Sequence, residues 1–485
     1  MVEPSPPGSQ RTSGRLDHRG MECCTAAHPC SPRILGRECS MFNQKTFKRG
    51  PLALAIAGLL AMGPALAQTD REAQLEARIA ELERMVGELV KQQANAAATP
   101  PAPAAPAAPA GAPPPPPVQT ISIVPGANPG TRFSYGGFIK VNSSYTDYSD
   151  GNPPAGSLAR DFYLPGAIPV GGAGESAVFD SHAKQSRFWF ATDTVLENGD
   201  KLASRIELDF GVPTGGDERN TNTYNPVLRR AYFTYNNWLA GQEWSNFMEL
   251  SALPETADFI GPTEGMIFDR QAQVRYTRGA WALSAENPQT TLLPFGGGAR
   301  IVSDENTMPD LTARYTRKGD WGLLSVAGLM RQLRLETPAG AESANGYGIS
   351  VTGKFMFGAN DLRFMATAGS GIGRYLGLNF FEDGVLNARG DIDPIDMVAA
   401  YAAWRQVWAG SLRSNFILGY TSADNDRALT GLNANAEASS ARVNLFWTPA
   451  PKLDVGIELS TAKRELERGT SGTQNRIDLM ARYAF

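Results

Sequence analysis

Between residues 132 and 485, apolar and polar side chains alternate one by one in runs of about ten, with Gly, Asn and Asp between the runs. In 201–210, Leu202, Ser204, Ile206, Leu208 and Phe210 face one way, and Lys201, Arg205, Glu207 and Asp209 the other. A period of two is a strand, because a helix needs 3.6 residues to return to the same face. Sixteen such runs lie between 132–147 and 474–485, most of them near the roughly 9–11 residues a tilted strand needs to cross a bilayer. The connections alternate as well. Asn236-Asn237, Arg278-Gly279 and Ala409-Gly410 are short, whereas 148–183, 244–269 and 370–395 are long. Tight periplasmic turns and long external loops give an outer-membrane barrel that rhythm. A soluble sandwich has no reason to keep it, and a β-helix would show a fixed short repeat. The expected fold is all-β: a 16-stranded antiparallel transmembrane β-barrel over residues 131–485.

Composition narrows the chemistry. The chain has 485 residues, a formal charge of −4 and a mean hydropathy of −0.26, without the apolar runs that spanning helices require. That charge gives no support to nucleic-acid binding. Of three histidines, His18 and His28 precede the expected mature protein, which leaves His182. A hydrolytic triad or zinc site has little to draw on, and Asp391-Ile392-Asp393 lacks the ligand series of a calcium loop. The sequence points to no enzyme, no cofactor and no metal.

The segment before the barrel reads as four parts. Residues 1–40 hold all four cysteines and look like a non-native extension. An export signal occupies 41–67: Lys45, Lys48 and Arg49, an apolar run from Leu52 to Leu60, and Ala65-Leu66-Ala67. Removing residues 1–67 leaves 37 basic and 45 acidic side chains. Residues 68–93 carry a heptad seam, with Leu75, Leu82 and Leu89 every seven residues and Ile79 and Val86 between them. Such a short helix needs a partner, either a coiled coil or its own barrel. Branched residues at one core position favour two strands, whereas Arg78 to Glu83 resembles a motif of three-stranded coils. Residues 94–130, rich in Ala and Pro, form a semi-rigid spacer of about 3.1 Å per residue where extended.

In a barrel the apolar face meets lipid and the other meets water. That rule sends eleven arginines inward: Arg187, Arg205, Arg230, Arg275, Arg314, Arg363, Arg405, Arg413, Arg442, Arg476 and Arg482. Inward acids are Asp193, Glu207, Asp209, Glu286, Asp454, Glu458 and Asp478. The wall is thus basic although residues 131–485 total 33 basic and 39 acidic side chains. An arginine ladder attracts anions and grips carboxylates with paired N–H···O bonds. Arg187, Arg205, Arg230, Arg275, Arg314, Arg363 and Arg442 are the expected solute path, bracing of the wall against facing acids being the alternative.

The connection after the fifth strand, Trp244 to Gly265, is too apolar for a solvated loop. Folded into the bore, it would set Glu249, Glu255, Asp258 and Glu264 against the wall arginines and constrict the pore, as the loop at that position does in general porins. Clasping a neighbouring subunit is the other reading. At the C-terminus Ile477, Leu479, Ala481, Tyr483 and Phe485 alternate outward. The terminal aromatic pair resembles the signal read by the barrel assembly machinery.

Several stretches resemble the DcaP-like outer-membrane porins. They include Gly136-Gly137-Phe138-Ile139-Lys140, Phe162-Tyr163-Leu164-Pro165, His182-Ala183-Lys184-Gln185-Ser186-Arg187-Phe188, and Arg229 to Gly265 with Leu253-Pro254-Glu255-Thr256 and Asp258-Phe259-Ile260-Gly261-Pro262. The resemblance implies a homotrimer of sixteen-stranded barrels with a periplasmic N-terminal coil. It also implies passive uptake of small anionic solutes, dicarboxylates among them. Outer-membrane lipid, lipopolysaccharide and the assembly machinery are the expected partners.

Overall fold

The computed structural model of the chain describes Arg84, Asn128 and residues 130–211, 216–217, 221–338 and 340–485. Arg84 is helical. The extension at 1–40, the signal at 41–67, the coil with Leu75, Arg78, Ile79, Leu82, Glu83, Val86 and Leu89, and the linker otherwise lie outside the described residues.

Among the described residues, seventeen strands form one sheet that closes on itself, two of them sharing a stave, so the barrel has sixteen staves. We number the staves in chain order. The first five are β1 (Arg132–Tyr148), β2 (Val178–His182 and Arg187–Val195), β3 (Lys201–Asp209), β4 (Val227–Tyr235) and β5 (Trp238–Trp244). Then come β6 (Arg270–Arg278), β7 (Trp281–Glu286), β8 (Asp310–Gly319), β9 (Gly322–Thr337), β10 (Gly340–Phe357) and β11 (Asn360–Ser370). The last are β12 (Asp396–Ala409), β13 (Leu412–Asp424), β14 (Asn435–Ala450), β15 (Leu453–Leu466) and β16 (Ser471–Ala484). Each pairs antiparallel with the next, and β16 returns to β1 from Phe138↔Ala484 to Tyr148↔Gln474. Closure matters physically. Each backbone polar group left unpaired in hydrocarbon costs several kcal/mol, so a spanning sheet can have no free edge.

Alternation decides which face meets what. On β16, Ile477, Leu479 and Tyr483 are exposed while Arg476, Asp478 and Met480 are buried. Exposed Trp238, Trp281, Trp321, Trp408 and Trp447 gather near the short turns. Indole and phenol rings suit the boundary between lipid and water, because they combine an apolar body with a polar edge.

Of the irregularities in the sheet, two shape the interior around the inserted loop. The first splits β2. Its upper part pairs with Asn142–Thr146 of β1 and its lower part with Arg132–Phe138. In the gap, Lys184 and Gln185 are buried, and Lys184 Nζ donates to both oxygens of Asp161 at 2.7 and 2.9 Å. The second is a bulge. Glu207 lies opposite Arg230 but Leu208 opposite Leu228, which leaves Arg229 without a cross-strand partner. The extra residue turns into the bore beside Arg230.

The bore is not an open cylinder. Loops from the long-connection end fold into it and build an apolar cluster against the inner wall. Phe247, Met248, Ile372, Tyr375, Leu376 and Phe380 pack on Leu329, Met365, Met397, Ala399 and Tyr401. Above it, 290–293, 301–303, 384–386 and 392–394 form a four-stranded sheet, short elements that period-two reading of the loops did not foresee.

Candidate functional site: a cationic cavity beneath the inserted loop

Residues 245–269 form the inserted loop. Its entry is fixed by Asn246, whose backbone N–H donates to Glu286 at 2.8 Å and whose side chain donates to Thr312 at 2.9 Å. Wall side chains then hold the loop's own carbonyls. Tyr401 donates to Ala252 O at 3.0 Å, Lys140 to Ala257 O at 2.6 Å, and Arg363 to Leu253 O. Space is tight at the far end: a Cβ on Gly265 would stand 2.2 Å from the carbonyl oxygen of Ala400.

A second loop, from β1 to β2, clamps the first. Its Tyr163 N–H donates to Asp258 at 2.9 Å, and Phe162 lies 5.4 Å from Phe259 between ring centres. Arg464 reaches Gly166 O and Ile168 O at 2.7 and 2.9 Å, and Arg476 reaches Ala159 O at 2.7 Å. These wall arginines do structural work on loop carbonyls.

The four acids of the inserted loop lie against the wall in different ways. Glu249 is 3.8 Å from Arg314. Glu255 accepts from Arg413 Nε at 2.8 Å and lies 3.9 Å from Arg405. Asp258 is 3.9 Å from Arg476, and Glu264 accepts from Ser440. Burial pushes the Glu264 carboxyl above the ordinary carboxylate range, with the Arg442 charge opposing it. Glu255 alone of the four keeps a quarter of its side chain exposed, at 25%.

Beside this loop is a cavity of about 540 Å³. Six cations line it: Lys140, Arg187, Arg229, Arg363, Arg405 and Arg482. Its acids are Glu255 and Asp258, and Phe138, Trp244, Phe259 and Phe268 supply apolar surface. Arg363 and Arg405 stand a few residues from the short turns that begin β11 and end β12, which puts the cavity toward that end of the barrel.

The pattern that defines the DcaP outer membrane protein family matches residues 125–485. The chain belongs to the DcaP family. Among solved structures, it resembles the outer membrane channel DcaP of Acinetobacter baumannii at 24% identity and a TM-score of 0.61. That likeness covers 73% of this chain and 97% of the other. It also resembles an anion-selective porin from Comamonas acidovorans, at 11% identity and a TM-score of 0.46 over 73% and 100% of the two chains. No curated protein matches it.

Within this DcaP-family barrel the inward arginines fall into distinct settings. Arg187 is paired with Asp209 at 3.2 Å, and Arg205 with Glu207 at 2.8 Å. Arg230 bridges Glu207, at 3.4 Å, and Glu243. Arg275 donates to Gln273 and to Trp244 O, at 3.0 and 3.1 Å, and Arg314 donates to Met248 O. Arg363 pairs with Asp361. Arg442 is fully buried, 3.3 Å from Glu458 and 4.5 Å from the Tyr163 ring centre, with no surface toward the bore. The cavity therefore gathers Arg187 and Arg363 from the expected path, while Arg205, Arg230, Arg275, Arg314 and Arg442 are not part of its lining.

Two lining cations escaped the sequence reading. Lys140 sits between outward Ile139 and Val141, so alternation alone could have found it. Arg229 could not be found that way, because only the bulge turns it inward. At the chain end, Tyr483 and Phe485 are exposed on the outer face, and Phe485 exchanges backbone hydrogen bonds with Gly137 at 3.0 and 3.3 Å. The terminal residue thus helps close the cylinder.

Proposed function

We propose that the chain is an outer-membrane diffusion porin admitting small hydrophilic anions, dicarboxylates among them, through a lumen lined by arginine and narrowed by the inserted loop. The observation that carries this reading is the cavity with six cations and two acids. Guanidinium groups in a partly water-excluded passage attract anions from solution and hold carboxylates by paired hydrogen bonds. Passage needs no covalent chemistry and no energy input, and no enzymatic role is proposed. The A. baumannii protein that the chain resembles is an outer membrane channel, which supports transport as the class of activity.

The same reading has three barrels associating as a homotrimer. The N-terminal coil lies in the periplasm, lipid and lipopolysaccharide surround the wall, and the assembly machinery inserts it. A second reading is favoured by the apolar filling around Phe247, Ile372 and Tyr375, namely a plugged barrel whose coil spaces or tethers the outer membrane. Conductance separates the two. In planar bilayers under a KCl gradient, the porin should give stable currents and a reversal potential of anion preference. Absence of current would favour the plug, and cation preference would reject the anion claim.

A further inference from the structure

Glu255 differs from the other acids of the inserted loop. Asp258 and Glu264 are buried, whereas Glu255, which lines the cavity with Asp258, remains a quarter exposed. It faces the Arg413 guanidinium in fork geometry, with Nε donating to Oε2 at 2.8 Å and Nη2 to Oε1. Arg405, a lining cation, stands 3.9 Å away. Arg413 is not part of the cavity lining, whereas its partner Glu255 is. Behind, Arg413 is held independently by Thr448 at 2.8 Å and Asp454 at 3.1 Å.

We propose that Glu255 is a tethered counter-ion, occupying on Arg413 and Arg405 the place that the carboxylate of a permeating anion would take. The proposal rests on reading the chain as an anion porin. A carboxylate carried on the loop competes with a free one at the high effective concentration of any intramolecular partner. Entering solutes then exchange with Glu255, and Glu255 returns as they leave. Such competition keeps binding weak, which a conducting path requires: the solute must enter favourably and still depart.

The test uses the full-length porin in planar bilayers carrying chloride current, with succinate added as a blocker. Glu255→Gln should lower the succinate concentration for half-block about tenfold, the size of one lost charge-assisted competitor. Glu255→Asp keeps the charge but is one methylene shorter, and should shift half-block in the same direction. In an Arg413→Gln background the Glu255→Gln shift should shrink below about twofold. Thr448 and Asp454 keep Arg413 in place in both Glu255 variants. An unmoved Glu255→Asp beside a shifted Glu255→Gln, or an equal shift without Arg413, would reduce Glu255 to a distant field effect and overturn the proposal. A wild-type protein that prefers cations or fails to conduct overturns the porin reading beneath it instead.

Discussion

Arg229 and Arg230 are neighbours in the chain, yet both reach Glu207, at 3.2 and 3.4 Å. In a regular strand one of them would face lipid. The bulge against β3 brings both inside, and Arg229 also takes Asp209 at 2.7 Å. Glu207 and Asp209 keep Arg187, Arg205 and Arg230 when Arg229 is removed, so Arg229→Ala should destabilise the barrel by about 1.5–3 kcal/mol, the size of lost buried charge-assisted hydrogen bonds. Arg205→Ala, at a partly exposed partner of the same Glu207, should stay within about 1 kcal/mol. Thermal unfolding in detergent compares them, and equal losses would contradict this division.

The double variant Arg205→Ala with Arg275→Ala bears on transport. Arg275 has amide and carbonyl partners rather than an acid, so its charge is not neutralised locally. Losing both should reduce anion preference in a KCl gradient while oligomer yield holds. Unchanged selectivity would assign both residues to bracing the wall.

Gly265 tests the seat of the inserted loop. A methyl group there would meet the Ala400 carbonyl oxygen at 2.2 Å and its carbon at 2.7 Å, both backbone atoms. Gly265→Ala should push the loop away from β12, with a loss of about 1–3 kcal/mol from overpacking. Single-channel conductance should change with it. An unaltered conductance would show that this end of the loop does not set the pore.

Glu264 gives a pH dependence. Burial raises its carboxyl above the ordinary range, so the folded state holds this proton more tightly than the unfolded chain. Its contribution is complete below the unfolded value of roughly 4.3 and is lost as pH rises through the raised native value. The melting temperature should therefore decline across that window. Glu264→Gln, which mimics the protonated form, should flatten the decline, and an undiminished slope would point to another group.

The staves were legible because lipid and water leave each strand only two environments, and the alternation records both. Runs expected at 201–210 and 474–485 correspond to Lys201–Asp209 and Ser471–Ala484. What the sequence concealed depends on contacts between distant segments. Nothing local announces that Asp161 will draw Lys184 inward and split β2, or that Arg229 will bulge. Likewise Leu329, Met365 and Tyr401 are apolar residues on an inner face, intelligible only once Phe247 and Ile372 are packed against them. The acids of the inserted loop could be chosen from composition, but not their separate fates, with Glu255 open to the cavity and Glu264 sealed.

The placement of Arg363, Arg405 and Arg482 near the short-turn rim has an electrical consequence. On the reading as an anion porin, cations gathered toward one end only would make the passage unlike itself when viewed from opposite ends. Ions driven one way would meet that charge late in their path, and ions driven the other way would meet it early. Such a conduit rectifies, so its current–voltage curve should bend rather than run straight through the origin.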